Sequence, residues 1–193
     1  MILNRILNKI IWFSRLVLYK LNVKRKYKID NSYIYLDFIH KLPDYKLNLP
    51  LYDKFLPHIV KYLNSNTCVV DVGANVGDSL ASMANSNLDL EYICIEADEE
   101  YFKDLQKNIL ILSNQFPNLK VRSLNQFVGK YINNVDLKGA YGTKYAVPGG
   151  KIRSIALDEI LKKLNVKKEN ISLIKTDVDG FDYDIIRSAY GTI

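Results

Sequence analysis

An open α/β sheet, doubly wound and mostly parallel, is the fold this sequence predicts, and three observations carry it. Short apolar runs at Cys68–Val72, Tyr92–Glu96 and Ile171–Thr176 have the length of buried strands. Segments of helical periodicity lie between and after them. The first run also enters a tight turn, Asp71-Val-Gly-Ala-Asn-Val-Gly-Asp78, whose Gly73 and Gly77 permit torsions and close approaches that other residues resist.

From the N-terminus, residues 2–22 place Ile2, Leu3, Ile6, Leu7, Ile10, Phe13, Leu16, Val17 and Leu21 at helical spacing. Arg5, Lys9, Arg15 and Lys20 interrupt the run, so no stretch reaches the roughly 20 apolar residues of a membrane span. Arg15 also splits the apolar region that a signal peptide would need. A basic amphipathic helix of this kind could lie on an anionic membrane surface at the inner face, or pack on the catalytic domain or a twin subunit. Ser32–Leu36 alternates like a short strand. Pro50 opens a helix through about Leu63, which Pro57 should kink or split. His40 and His58 lie in this region without metal-ligand spacing, and His58 is the one that could approach a site.

The α/β pattern is then regular. Strand Cys68–Val72 leads to a helix over Asp78–Ala84, and strand Tyr92–Glu96 to a helix capped by Asp98, with Glu99 and Glu100 in its first turn. Leu119–Leu124 is the third strand. Residues 127–150, with Gly139, Gly142, Gly149 and Gly150 near their turns, read as a hairpin inserted beside the site. Lys151–Ala156 is extended, Asp158–Leu164 a short helix, Ile171–Thr176 the fourth strand, and Asp182–Tyr190 a final helix. Three regions result: a basic N-terminal extension over 1–30, a strand and helix packing on the core over 31–66, and a ligand-binding domain over 67–193.

The turn's spacing selects the ligand. A dinucleotide site reads G-x-G-x-x-G and needs its middle glycine, whereas Asn75 stands here between Gly73 and Gly77. The Lys-Ser/Thr pair of a phosphate-binding P-loop is also missing. Glu96, at the end of the second strand, sits where an acid can accept both hydroxyl hydrogens of a ribose. Asp71 before the turn suits a cationic group. A ribose, a cationic aminoacyl tail and no phosphate describe S-adenosylmethionine. Asp71, Gly73, Asn75, Gly77 and Glu96 are the expected cofactor contacts, with Asn125, followed by Gln126, at the edge expected to meet the adenine.

Asp71–Asp78, Ile95-Glu96-Ala97-Asp98 and Ile174-Lys-Thr-Asp-Val-Asp-Gly180 together resemble the FkbM-type S-adenosylmethionine-dependent methyltransferases, from about Leu51 to the C-terminus and including Ser154–Leu161. The resemblance implies a Rossmann-like sheet of the class I methyltransferase type. It also implies O-methylation of a sugar, polysaccharide or secondary-metabolite hydroxyl. The family pattern Asp-x-Glu-Gly appears here as Asp177-Val-Asp179-Gly180, which keeps the charge but shortens its reach. More strands would follow in such a fold, so truncation after the fourth core strand is expected.

A hydroxyl acceptor must lose a proton, which calls for a base or a metal. Asp177 and Asp179, delivered by the fourth strand, are the catalytic candidates. On an extended segment they would point the same way and could share a divalent ion. Two other readings compete: a degenerate methyltransferase-like binding module, and a glycosyltransferase using Asp177-Val-Asp179 as a metal-binding Asp-x-Asp. The latter leaves the glycine turn and Glu96 unexplained.

Charge excludes one further class. The net +6 is concentrated in residues 1–66, with 12 Lys/Arg against 4 Asp/Glu, while residues 67–193 carry 15 against 17. The expected ligand-binding domain is therefore slightly acidic, which argues against a nucleic-acid reader. Cys68 and Cys94 fall inside predicted strands and read as small buried hydrophobes of a reducing, cytoplasmic compartment.

Overall fold

The computed structural model describes residues 2–51, 53–130 and 134–192. Helix α1 (Ile2–Lys20) leads into a hairpin, β1 (Lys24–Ile29) and β2 (Ser32–Asp37), followed by helices α2 (Leu42–Asn48) and α3 (Phe55–Val60). The core then alternates β3 (Cys68–Val72), α4 (Asp78–Ala84), β4 (Glu91–Glu96), α5 (Glu99–Gln115) and β5 (Lys120–Asn125). Next come β6 (Phe127–Val128), β7 (Asn134–Ala140), β8 (Thr143–Pro148), β9 (Ile152–Ile155), α6 (Leu157–Lys163), β10 (Ile171–Thr176) and α7 (Asp182–Ser188).

The central sheet has the order β10-β3-β4-β5, all parallel. The chain steps outward from β3 to β5, then returns with β10 on the other side of β3. Strand order thus reverses between β3 and β10, the place where open α/β sheets bind ligands. Val72 is in register with both Ile95 and Thr176, so the carboxyl ends of β10, β3 and β4 finish level. This is the Rossmann-like, doubly wound sheet that the sequence predicts.

Both faces of β3 and β4 are covered, which is why they read as unbroken apolar runs. Val69, Tyr92 and Cys94 pack toward α4 and α5; Cys68, Val70, Val72, Ile93 and Ile95 pack toward α6 and α7. Both cysteines are free and buried. The β1–β2 hairpin belongs to the first of these cores through Ile29, Ile34 and Leu36. It is also stitched to α5 by two side-chain amides. Asn108 and Gln115 each accept from and donate to the backbone of β2, at Tyr35 and Tyr33 respectively.

Three elements differ from expectation. Strand β1 escapes a sequence reading because Lys24-Arg-Lys-Tyr-Lys looks like a solvated charge run. Lys24 in fact pairs with Asp37 (2.8 Å) and Asp104 (2.6 Å), and Lys26 stacks over the Tyr33 ring (3.6 Å). The helix expected from Pro50 starts only at Phe55, so Pro57 lies in its first turn, where a missing N–H costs nothing and no kink is required. Helix α2, which carries Pro43 in its own first turn, was hidden by the same 40–66 stretch of mixed residues.

Candidate active site

A cavity of about 310 Å³ opens at the carboxyl ends of β3, β4 and β10. The β3–α4 turn, the residues after β4 and β10, helix α2 and the β7–β8 hairpin together line it. Its size falls at the lower end of the range for small-molecule sites.

The turn at 73–77 is left-handed at Gly73 (φ +81°), Asn75 (+48°) and Gly77 (+90°). The requirement for glycine at 73 is steric and comes from within the protein. A Cβ there would lie 2.1 Å from the carbonyl oxygen of Asp177, so the turn and the residue after β10 could not approach. Gly77 begins α4, and a Cβ would press on Leu105 at 3.0 Å. The backbone N–H groups of Gly73 and Ala74 donate to the carbonyl of Ile95, that of Gly77 to Ala74, and that of Asn75 to Glu96. The turn therefore spends these N–H groups on its own geometry rather than offering them to a ligand.

Glu96 is fixed from both sides. Its Oε2 accepts from the Asn75 N–H and its Oε1 from the Asp98 N–H, both at 2.8 Å. Burial pushes its carboxyl up to about 7, although those two N–H groups partly oppose the shift. Each oxygen keeps a lone pair, and the side chain lines the cavity. Asp98 caps α5 as expected, accepting from the N–H groups of Glu100 and Tyr101.

Asp71 is not at the cavity surface. It is fully buried beneath it, bonded to Ser79 Oγ (2.5 Å) and to Lys175 Nζ (3.0 Å). The lysine also stands 3.8 Å from Asp177 Oδ2. Burial opposes the charge of Lys175, but Asp71 and Asp177 more than offset this and hold its ammonium above the ordinary range. Lys175 lines the cavity, so its otherwise odd place in an apolar strand is explained by Asp71.

Asp177 and Asp179 both line the cavity. They do not form the side-by-side pair of an extended strand, because Asp179 is left-handed (φ +48°) in a turn completed by Gly180 (φ +107°). Burial, together with Asp53, Asp179 and Asp71, raises the Asp177 carboxyl above its usual range, against the pull of Lys175. Asp53 and Asp78 also reach the cavity, and burial raises both. Asp53, Asp78, Glu96, Asp177 and Asp179 thus face two ammonium groups, Lys144 and Lys175. The site is acidic, and a positively charged ligand suits it. Asn125 faces elsewhere: its amide donates to the carbonyls of Glu96 and Ala97, and it borders a neighbouring recess, while Gln126 lines the main cavity. Among the described residues no group of three or more His, Cys, Asp or Glu is placed to hold a metal ion.

The hairpin expected within 127–150 forms the cavity's roof as β7–β8; the contacts that hold it down have no signal in the sequence. The β7–β8 tip is strapped down by the Gly142 N–H donating to Tyr101 Oη (2.6 Å) and by Asn75 Nδ2 donating to the Gly142 carbonyl (3.0 Å). Lys144 bonds Asp98 (2.6 Å), and the Lys41 N–H donates to the Tyr141 carbonyl (2.9 Å). His40, not His58, reaches this network; His58 is exposed. Leu42 N–H donates to His40 Nδ1, which leaves the imidazole proton on Nε2, 3.2 Å from Asn75 Oδ1. Burial keeps the ring neutral by lowering its pKa. No spacing rule connects His40 to Asn75 in the sequence; only the docking of α2 brings them together.

A parallel sheet with its order reversed beside a glycine turn, and an acid fixed across that turn, defines a protein of the nucleoside-cofactor-binding α/β class. The model of the methyltransferase FkbM domain matches residues 71–193, and the chain belongs to that family. Among solved structures it is similar to the methyltransferase FkbM from Methylobacillus flagellatus KT, with 20% identity over 68% of this chain and 32% of that one (TM-score 0.49). It is also similar to M. jannaschii TYW2 in complex with AdoMet, with 20% identity over 53% and 42% (TM-score 0.42). A third is an O-methyltransferase from Bacillus cereus in complex with SAH, with 20% identity over 74% and 51% (TM-score 0.45). The chain thus spans about a third of the first structure's length. No curated protein matches it.

Proposed function

We propose that this chain carries the cofactor site of an S-adenosylmethionine-dependent O-methyltransferase acting on a hydroxyl of a sugar, polysaccharide or secondary metabolite. The observation that carries the reading is the carboxylate of Glu96, clamped by the N–H groups of Asn75 and Asp98 on the wall of an acidic cavity where strand order reverses. Family membership supports it independently. The two buried thiols support a reducing, cytoplasmic setting.

The residues suit this cofactor in kind. Glu96 is positioned to accept from the two ribose hydroxyls. Ala97, Phe127, Val128 and Leu137 give an apolar wall for a purine. Asp53, Asp78 and Asp177 supply negative charge for an ammonium and a sulfonium. The bound cofactor would supply an electrophilic methyl group with an activated leaving group. What remains for the protein is to align the acceptor, exclude water and take a proton. Alignment alone is worth roughly 7–11 kcal/mol in favourable cases. Asp177, whose carboxyl burial raises above its usual range, serves as the base at the acceptor side. Asp179 lines the same cavity, and the Lys175 ammonium stands 3.8 Å from Asp177 Oδ2. Asp71 acts from below as the counter-charge of Lys175.

Isothermal titration calorimetry of the full chain with S-adenosylmethionine tests the reading. Saturable heat that is lost in Glu96→Ala is expected. A folded chain that gives no heat overturns it.

A further inference from the structure

Helix α1 turns its most apolar stripe to solvent. Ile6, Ile10, Phe13 and Val17, at alternating four- and three-residue steps, are 50, 60, 64 and 40% exposed. The other side of the helix holds it to the domain: Arg15 pairs with Asp44 (3.3 Å), and Leu16 and Leu18 are partly buried. No helix among the described residues is long and apolar enough to cross a membrane, so the stripe calls for a surface.

Charge identifies that surface. Residues 1–28 carry eight Lys/Arg and no Asp/Glu. Arg15, Lys24, Arg25 and Lys26 are occupied within the protein. Arg5, Lys9, Lys20 and Lys28 are exposed and have no acidic partner among the described residues. Arg5 and Lys9 immediately precede Ile6 and Ile10, and with Lys20 they border one edge of the stripe. A second copy packed on this face would set one set of unpaired cations against another with no acid in either segment. An anionic lipid surface meets the same pattern with charge of the opposite sign, and polybasic segments gain about 1 kcal/mol per Lys/Arg there. We propose that α1 lies in the headgroup layer of an anionic bilayer, with Ile6, Ile10, Phe13 and Val17 toward the acyl chains and Arg5, Lys9, Lys20 and Lys28 at lipid phosphates.

The chain contains a single tryptophan, Trp12, on this helix and 52% exposed, so its fluorescence reports the event directly. The full chain is titrated with phosphatidylcholine vesicles, with and without about one third phosphatidylglycerol. The expected result is a blue shift of Trp12 and co-sedimentation on the anionic vesicles, with partitioning roughly tenfold or more above that on neutral ones and falling as salt is added. The double variant Ile10→Asp/Phe13→Asp should lose roughly tenfold or more of this binding, because it places two charges in the apolar layer. Its melting curve should be unchanged, since both residues are exposed. Lys9→Glu/Lys20→Glu should weaken anionic binding and leave neutral binding unaltered. Equal partitioning on the two vesicle types, or none on either, overturns the proposal. So does a dimer in sedimentation equilibrium that Ile10→Asp/Phe13→Asp dissociates while no vesicles bind. Cofactor titration is a separate readout, so this result and that one fail independently.

Discussion

The backbone N–H of Asn75 donates to Glu96 Oε2 at 2.8 Å, joining the glycine turn after β3 to the acid that ends β4. The two halves of the proposed cofactor site are therefore one hydrogen-bonded unit before any ligand arrives. The acid's orientation is set by main chain on both sides, and its affinity for hydroxyl donors carries little ordering cost.

For cofactor affinity, Glu96→Gln should weaken S-adenosylmethionine binding by roughly tenfold and Glu96→Ala by more, since hydrogen bonds to a charged group are worth about 1.5–3 kcal/mol. Calorimetry at pH 8 checks this. With the parent carboxyl near 7, affinity should also fall below neutrality in the parent, and less steeply in Glu96→Gln.

Glu96 and His40 should contribute to the pH dependence of stability with opposite sign. The native carboxyl of Glu96 is raised, so the folded state binds more protons than the unfolded state between the ordinary glutamate range and about 7. Stability from this group accordingly rises as pH falls through that window, by up to about 3 kcal/mol. His40 is lowered, so its contribution is present above the ordinary histidine range and lost as pH falls through the native value. Urea unfolding at pH 5 and 8 should therefore show Glu96→Gln gaining at pH 8 relative to the parent. His40→Gln should lose most at pH 8.

Removing one partner of the buried Lys175–Asp71 pair should be costly. Lys175→Met leaves a fully buried carboxylate whose remaining partner is Ser79, and a loss of about 3–5 kcal/mol is expected. Lys175→Met combined with Asp71→Asn should recover much of it. Equilibrium unfolding of the two variants measures the difference.

Two glycines with almost the same φ should respond differently to alanine. At Gly149 (φ +91°) nothing lies within 4 Å of an added Cβ, and only the left-handed backbone resists, at about 1–2 kcal/mol. At Gly73 (φ +81°) the Cβ would also collide with the Asp177 carbonyl, so the cost should be at least about twice that, with cofactor binding lost. Paired unfolding and calorimetry of the two variants decide it.

Much of the α/β core is legible in the sequence because burial and function ask for the same residues there. Strand β3 is apolar on both faces, its turn needs glycine, and Asp98 must cap α5, so each position carries a local signal. The reason for Gly73 was less visible, since its close neighbour is Asp177 of the same chain, more than a hundred residues on. Strand β1 was hidden because its lysines look solvated until Asp37 and Asp104 are in place. The bonds that hold the roof down were hidden for a different reason: His40 and Tyr101 come from segments far from the Gly142–Lys144 hairpin in sequence, and nothing local to any of them marks the meeting. Asn125 shows the converse: it stands at the end of β5, where an adenine contact was expected, yet its amide turns inward to the chain's own carbonyls.

The amide ladder from Asn108 and Gln115 to β2 bears on how this protein can be cut. The family-matched portion opens at Asp71, midway along β3. A fragment starting there would sever an inner strand, strip Ile34 and Leu36 from Leu105 and Leu112, and leave the carboxamides of Asn108 and Gln115 facing an emptied groove. Any expression boundary meant to yield a folded piece has to fall before Lys24.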